Sequence, residues 1–391
     1  MPRIQTYNTI AERGLALFQE DPQYGLNESV EPEALLIRSQ NLHDMIIPLS
    51  VKAIARAGAG VNNIPIDECS ERGIVVFNTP GANANAVKEL VLASLIAVSR
   101  NLFSAEQWMH QLDRDEPALE KIVEAGKKEF RGTEIKGKKL GIIGLGAIGV
   151  LVANDALALD MDVIAYDPFI SVEAAWRLSK DVKRAQTLDE LLTQCDFISI
   201  HVPLSEKTKG LLHGEHFSKM KDGVTLLNFS RGELLKEEEL LPYLRDHKIR
   251  TYVTDFPNGI VLGEKNVVAI PHLGASTIES EENCAVMAAR QLKNYLETGN
   301  IKHAVNLPDV DLPYTGKLRV TVMHKNIPNM VGQITTILSS LHVNIADMIN
   351  RSKGNWAYTM IDLDQELVHE QQSEVMEQVG LIPGVVSVKC I

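Results

Sequence analysis

Two short polar clusters carry side chains suited to acid–base work on a small anion. They are Asn228-Phe229-Ser230-Arg231-Gly232 and Pro271-His272-Leu273-Gly274-Ala275-Ser276. Each follows an apolar run that reads as a strand, and open α/β sheets bind ligands at the carboxyl ends of their strands. Interconverting a 2-oxo acid and a 2-hydroxy acid needs a cation to hold the carboxylate and polarise the carbonyl. It also needs a group that exchanges a proton with the alkoxide. Arg231 suits the first task, because guanidinium is a planar fork that grips a carboxylate through two parallel bonds. His272 suits the second, because imidazole as a class exchanges protons near neutral pH. Taken singly, an arginine reads as a surface ion pair and a histidine as a strand cap. Their shared position at strand ends favours the chemical reading.

Such chemistry also needs a hydride carrier. The run Gly144-Leu145-Gly146-Ala147-Ile148-Gly149 follows the apolar strand Leu140 to Ile143, and a helical stretch from Val150 to Leu159 comes after it. Gly144 permits the tight turn, Gly146 lets the backbone approach a pyrophosphate, and Gly149 lets helix and strand pack closely. The helix start supplies free N–H groups and a positive dipole end. A second strand, Asp162 to Tyr166, ends at Asp167, whose carboxylate suits an adenosine ribose and repels a 2′-phosphate. NAD is therefore expected rather than NADP. An ordinary structural turn is the alternative for the glycines alone.

The elements that must position these groups are legible as well. Before the glycine run, Arg3 to Tyr7, Ala34 to Ile37, Val51 to Ile54 and Ile74 to Phe77 read as strands, Ile66 to Glu71 as a short helix, and Ala86 to Leu102 as a long helix. After it, strands are expected at Leu140 to Ile143, Val163 to Tyr166, Phe197 to His201, Val224 to Asn228, Thr251 to Thr254 and Val267 to Ile270, which is the count of a dinucleotide-binding fold. A helix from Glu279 to Thr298 follows, and Pro308, Pro313 and Gly316 punctuate a linker. The remainder alternates as βαββαβ: Leu318 to Met323, Met330 to Leu341, Val343 to Ile349, Trp356 to Leu363, Glu366 to Val379 and Val385 to Cys390. The expected fold class is α/β, with two Rossmann-like or flavodoxin-like doubly wound parallel sheets and a C-terminal ferredoxin-like βαββαβ unit.

Composition narrows the function classes. The chain has 391 residues, enough for two or three domains, and 45% are apolar. A net charge of −12 argues against general nucleic-acid binding, and a few arginines can still form a positive pocket for an anionic substrate. No apolar run reaches the length of a membrane span, and the opening MPRIQTYNTI lacks the apolar core of a signal peptide. Cys69, Cys195, Cys284 and Cys390 are scattered without a CxxC pair. They read as reduced thiols of a cytoplasmic protein, with neither a disulfide framework nor a metal site.

With these motifs in hand, the chain resembles the D-2-hydroxyacid dehydrogenase family, and within it the members that oxidise 3-phosphoglycerate with NAD at the start of serine biosynthesis. The resemblance runs along essentially the whole chain. It is carried by Arg38-Ser39, Arg56-Ala57-Gly58-Ala59-Gly60-Val61-Asn62-Asn63, Asn78-Thr79-Pro80-Gly81-Ala82-Asn83, Ser230-Arg231-Gly232 and Pro271-His272-Leu273-Gly274-Ala275-Ser276-Thr277. It implies that Arg231 binds and polarises the substrate and that His272 is the acid–base. It implies that Arg38, Ser39, Ala59, Gly60 and Asn83 line the substrate loops, with Arg38 reaching the phosphate. Thr79, Gly144, Gly146, Ala147, Ile148, Gly149, Asp167, His201, Asp255, Gly274 and Ala275 are then the NAD contacts. The implied domains are 1–98 with 280–308 for substrate, 99–279 for NAD, and 316–391 as an ACT regulatory unit. Closure of the first two would exclude water from hydride transfer.

One departure bears on the chemistry. The family adds a glutamate between the arginine and the histidine, which stabilises the protonated imidazole. The usual spacing falls on Ile260, and Glu264, the nearest acid downstream, is the candidate replacement should its loop swing it in. An unassisted His272, with a lowered titration and a shifted pH optimum, or a weakly active protein, is the expected consequence. In the C-terminal unit, His324, Asn326 and Asn344 match the residues with which paired ACT domains hold serine, so an L-serine effector and self-association at least to a dimer are expected. A dimerising module without a ligand is the alternative. Other 2-hydroxyacid dehydrogenases, such as a hydroxypyruvate or glyoxylate reductase, and a catalytically weak NAD- and amino-acid sensor are the competing functions.

Overall fold

The computed structural model describes residues 2–391, which divide into two compact units, residues 2–83 with 278–391 and residues 84–277. The first unit begins with β1 (Arg3–Tyr7), β2 (Gly25–Leu26), β3 (Ala34–Ile37), β4 (Ala53–Arg56) and β5 (Val75–Phe77). These form a parallel sheet in the order β2-β1-β3-β4-β5. Strands β3 and β5 are buried along their whole length, so they read as unbroken apolar runs. β4 starts later than its apolar pattern suggests and extends to Arg56, because pairing with β3 continues as far as Ile37↔Arg56. The helix Ile278–Thr298 lies on this sheet. Its Ala285, Ala288, Ala289, Leu292 and Tyr295 share one core with Ile4, Leu36, Ala55 and Phe77.

The second unit opens with the helix Ala84–Ser99 and then builds β6 (Lys139–Ile143), β7 (Asp162–Tyr166), β8 (Lys183–Arg184), β9 (Phe197–Ile200), β10 (Val224–Asn228), β11 (Ile249–Thr254) and β12 (Val267–Ala269). All pairs are parallel, in the order β12-β11-β10-β9-β6-β7-β8. The chain therefore leaves β6 in both directions, toward β7 on one side and β9 on the other. That reversal makes a crevice at the carboxyl end of β6. Seven strands form where six were expected, the extra one being the two-residue β8, which is too short and polar to carry an alternating pattern. Helices pack on both faces. Val87, Val91 and Leu95 join one core with Val150, Val152 and Ala153, and Leu191, Leu212, Phe217, Leu240 and Leu244 fill the other.

The C-terminal βαββαβ region lies within the first unit. It holds β13 (Arg319–Lys325), β14 (Ile345–Lys353), β15 (Trp356–Leu363) and β16 (Val385–Cys390), an antiparallel sheet ordered β14-β15-β13-β16. One face is covered by the helices Met330–Ser340 and His369–Gly380. The other face, through Met323, Tyr358 and Met360, enters the same core as Phe77 and Tyr295. The segment expected to be a plain linker is partly structural. Ile301, Ala304, Leu307, Val310 and Leu312 are buried, and Ile301 pairs with Val310 in an isolated bridge. No helix among the described residues is long and apolar enough to cross a membrane.

A fully buried ion pair anchors that sheet. Arg319 donates from Nε to Asp362 Oδ1 at 2.5 Å and from Nη2 to Oδ2 at 2.8 Å, and its Nη1 reaches the Thr298 carbonyl at 2.8 Å. Its charge is thus both matched and hydrogen-bonded, which a buried guanidinium requires. Asp362→Asn leaves the buried cation uncompensated and is expected to lower stability by about 3 kcal/mol. Urea unfolding followed by tryptophan fluorescence measures this, and an unchanged midpoint refutes it.

Candidate active site

Strand register brings the two chemical clusters of the second unit together. Asn228 pairs with Thr254 and Thr254 with Ala269, so β10, β11 and β12 end level with one another. Just past those ends lie Arg231, the pair Asp255-Phe256, and His272. The Phe256 ring mediates between them. His272 lies against it with ring centroids 4.5 Å apart, and the Arg231 guanidinium carbon stands 5.4 Å from the same centroid. Arg231 Nη1 donates to the Ser230 carbonyl at 2.6 Å, leaving further N–H groups of its fork for a ligand.

Beside them, Asp255 is 1% exposed. Its Oδ2 accepts the Gly274 N–H at 3.0 Å, while Oδ1 has no hydrogen-bond partner among the described residues. Burial raises its carboxyl above the ordinary range, opposed by the Gly274 N–H and by the nearby His272 and Arg231. His201, just past β9, is also buried. Ser199 Oγ shares a hydrogen bond with its Nε2 at 2.8 Å, and its Nδ1 is unpartnered among the described residues. Two buried polar atoms without partners at one sheet edge mark a place built for a ligand with its own donors and acceptors.

The glycine-rich turn fits a dinucleotide. Gly144 has φ +95°, and a Cβ there would stand 2.7 Å from the His201 carbonyl oxygen. A Cβ on Gly149 would lie 2.0 Å from the Gly144 carbonyl oxygen, so helix and turn meet only without a side chain. Gly146 differs, because nothing lies within 4 Å of a Cβ built there. It faces open space at the start of the helix Ala147–Ala158, where Ala147 and Ile148 begin the turn that a pyrophosphate would approach. Asp167 directly follows β7, as expected. Its Oδ2 accepts the Leu145 N–H at 2.7 Å and its Oδ1 the Phe169 N–H at 2.8 Å, so it also braces the turn. Each oxygen keeps a lone pair for a ribose hydroxyl.

The residues expected to line the substrate loops, with Thr79, lie on the first unit, after the carboxyl ends of β3, β4 and β5. Arg56 ties these loops together, donating from Nε to the Arg38 carbonyl at 2.9 Å and from Nη1 to the Gly60 carbonyl. The Asn78 amide reaches the Ala59 carbonyl at 2.6 Å, and the Ser39 N–H donates to Asn8 Oδ1 at 3.0 Å. Thr79 is fully buried, and Asn83 closes this stretch of the unit. The Arg38 side chain pairs with Glu281 at 2.5 Å, both about two-fifths exposed (39% and 38%). Sequence reasoning did not find Glu281, because pairing across distant segments leaves no periodic trace.

Three further expectations meet their surroundings here. Ile260, at the place of the family glutamate, packs on the core around Leu240 and Tyr252, and Val261 beside it is fully buried. Glu264 does not reach toward His272 as a replacement. It pairs with Arg245 at 2.5 Å, which lowers its titration. In the C-terminal sheet, His324 uses both ring nitrogens internally, Nε2 with Thr359 Oγ1 at 2.9 Å and Nδ1 with the Lys325 carbonyl at 2.9 Å. Asn326 follows the Lys325↔Trp356 end of the sheet, whereas Asn344 precedes the Ile345↔Leu363 end, so the two amides lie at opposite ends in one chain.

Residues 92–274 match the profile of the NAD-binding domain of D-isomer specific 2-hydroxyacid dehydrogenases. The chain is 35% identical over 308 residues to a D-3-phosphoglycerate dehydrogenase of Archaeoglobus fulgidus, covering 75% of this chain and 54% of that one. It is 31% identical over 318 residues to a D-3-phosphoglycerate dehydrogenase of Haemophilus influenzae, covering 78% and 73%. It spans little more than half the length of the first relatives it matches, 54% and 55%. A crystal structure of NAD+-bound 3-phosphoglycerate dehydrogenase from Entamoeba histolytica superimposes with a TM-score of 0.62 at 28% identity, covering 78% of this chain and 98% of that one.

Gly146→Ala fills open space, so it is expected to leave thermal stability unchanged and to weaken NAD binding by about tenfold or more, measured by calorimetric titration. A Kd equal to that of the unaltered protein refutes the cradle. Burial holds the His201 imidazole down at about 4. The folded state therefore binds fewer protons than the unfolded chain between about 4 and about 6.5, and stability present above that window is lost as pH falls through it, by up to about 3 kcal/mol. His201→Gln is expected to flatten this part of the stability–pH curve, read from urea midpoints across it.

Proposed function

Because the chain belongs to the D-isomer-specific 2-hydroxyacid dehydrogenase family, we propose that it is an NAD-dependent dehydrogenase that oxidises 3-phospho-D-glycerate to 3-phosphohydroxypyruvate. The observation that carries the reading is the convergence of Arg231 and His272 on the Phe256 ring, beside the partly unpartnered carboxylate of Asp255. Arg231 holds the substrate carboxylate bidentately and fixes C2 relative to the sheet edge. His272 takes the proton from the C2 hydroxyl as the C–H electron pair departs as hydride. NAD, held by the Gly144–Gly149 turn and by Asp167, supplies the hydride acceptor when bound. Asp255 lies beside the imidazole and guanidinium, which oppose the upward push of burial on its carboxyl, and its unpartnered Oδ1 is available to a cofactor amide. The family resemblance assigns the phosphate to Arg38, where a phosphate would compete with Glu281 for the guanidinium. That ion pair is exposed enough for its loss to cost little.

The C-terminal sheet resembles an ACT module, and we assign it a serine-sensing role. With Asn326 and Asn344 at opposite ends of one sheet, a serine site of the expected composition requires two copies of the chain. His324 would have to exchange the Lys325 carbonyl for the ligand. One observation favours a second reading, a catalytically weak protein: neither Ile260 nor Glu264 supplies His272 with the family carboxylate.

The test is turnover of purified protein with NAD and a panel of phosphorylated and unphosphorylated 2-hydroxy acids, with and without millimolar serine. Selective oxidation of 3-phosphoglycerate is expected. His272→Asn should lower kcat by about 10²–10⁴-fold, and Arg38→Ala should raise KM for the phosphorylated acid alone. Absence of turnover with every acid overturns the reading, and preference for an unphosphorylated acid moves it to another member of the family.

A further inference from the structure

Beneath the arginine-bearing turn lies a carboxylate that the proposed chemistry leaves unused. Glu237 begins the helix Glu237–Arg245 and is 3% exposed. Two donors are aimed at it. The Tyr252 hydroxyl reaches Oε1 at 3.1 Å and Asn258 Nδ2 reaches Oε2 at 2.5 Å. Both donors belong to longer chains of hydrogen bonds. Tyr252 Oη accepts from Asn228 Nδ2 at 3.2 Å, and the same amide donates to the Arg231 carbonyl at 2.9 Å, while Asn228 Oδ1 accepts the Ser230 N–H at 3.2 Å. On the other side, Asn258 Oδ1 accepts the N–H groups of Ile260 at 2.9 Å and Val261 at 3.3 Å.

The donor directions form one consistent path. The Asn228 amide spends one N–H on the arginine turn and one on the tyrosine oxygen, so the tyrosine proton must go onward, and Glu237 is the acceptor it meets. Asn228 and Tyr252 are fully buried, so no solvent stands in for a lost link. Burial raises the Glu237 carboxyl above its ordinary value, with the bonds from Asn258 and Tyr252 opposing the rise.

We propose that Glu237 is a positioning residue for Arg231, acting through Tyr252 and Asn228. Through Asn258 it also holds the loop that follows Phe256, the ring between Arg231 and His272. A guanidinium that must meet a carboxylate bidentately tolerates little displacement. One buried acceptor thus fixes both the turn that carries the cation and the loop from which the family glutamate is missing. The inference rests on the proposed oxidation of a 2-hydroxy acid, though not on which acid that is.

Tyr252→Phe keeps the packed ring and removes the link; Glu237→Gln keeps the shape and removes the charge. Steady-state kinetics use whichever 2-hydroxy acid the unaltered protein oxidises fastest. In each variant KM for the acid is expected to rise roughly tenfold, while KM for NAD stays within about twofold. A purely structural role would lower the melting temperature and move neither KM. An unchanged KM for the acid in folded Tyr252→Phe overturns the proposal, as does a parallel rise in both KM values. Should Glu237→Gln fail to fold, Tyr252→Phe decides alone. An unaltered protein that oxidises no 2-hydroxy acid overturns this inference together with the proposed function, whereas normal turnover with insensitive variants overturns only the inference.

Discussion

The alignment of three strand ends is the constraint on which the site depends. Parallel pairing of β10, β11 and β12 in the register Asn228↔Thr254↔Ala269 delivers Arg231, Asp255-Phe256 and His272 to one edge of the sheet. A slip of one residue in any of these strands would turn its side chains to the opposite face and take its contribution out of the cluster. Register is protected by burial. Val224, Leu226, Leu227, Tyr252 and Val253 are fully covered, so a shifted strand would expose or misplace several large apolar groups at once. The hydrophobic core of this unit is therefore also the device that sets its polar geometry.

The same economy governs the C-terminal sheet. Its helices cover one face, and the other face joins the core of the five-stranded sheet through Met323, Tyr358 and Met360. Arg319 adds a polar anchor, reaching back to the carbonyls of Thr298 and Pro313 while paired with Asp362. A module attached in this way is packed into its unit rather than tethered to it. The same body carries the Arg38, Gly60 and Asn83 loops.

The absence of an acid at Ile260 has a structural counterpart. Ile260 and Val261 turn into the core, and the preceding Asn258 caps their backbone N–H groups. Asn258 in turn donates to Glu237, so the loop is tied to the helix Glu237–Arg245.

Much of this was legible along the chain because the signals are local. Predominantly apolar runs announced β3, β6, β9 and β10, and the glycine run, the helix behind it and Asp167 announced a nucleotide crevice. Arg231 and His272 stood out because each follows such a run. The two-residue β2 and β8 were invisible, being too short for any pattern, and the buried part of the segment after Thr298 was masked by its prolines. Sequence alone determined the longer strands of both parallel sheets and the side chains that end them, since those follow from burial and backbone geometry within a few residues. Only the tertiary structure decided that Glu264 is committed to Arg245, that Glu281 holds Arg38, and that Glu237 lies under the arginine turn. Those pairings join residues far apart in the chain, and no local periodicity encodes a contact made by packing separate strands and helices together.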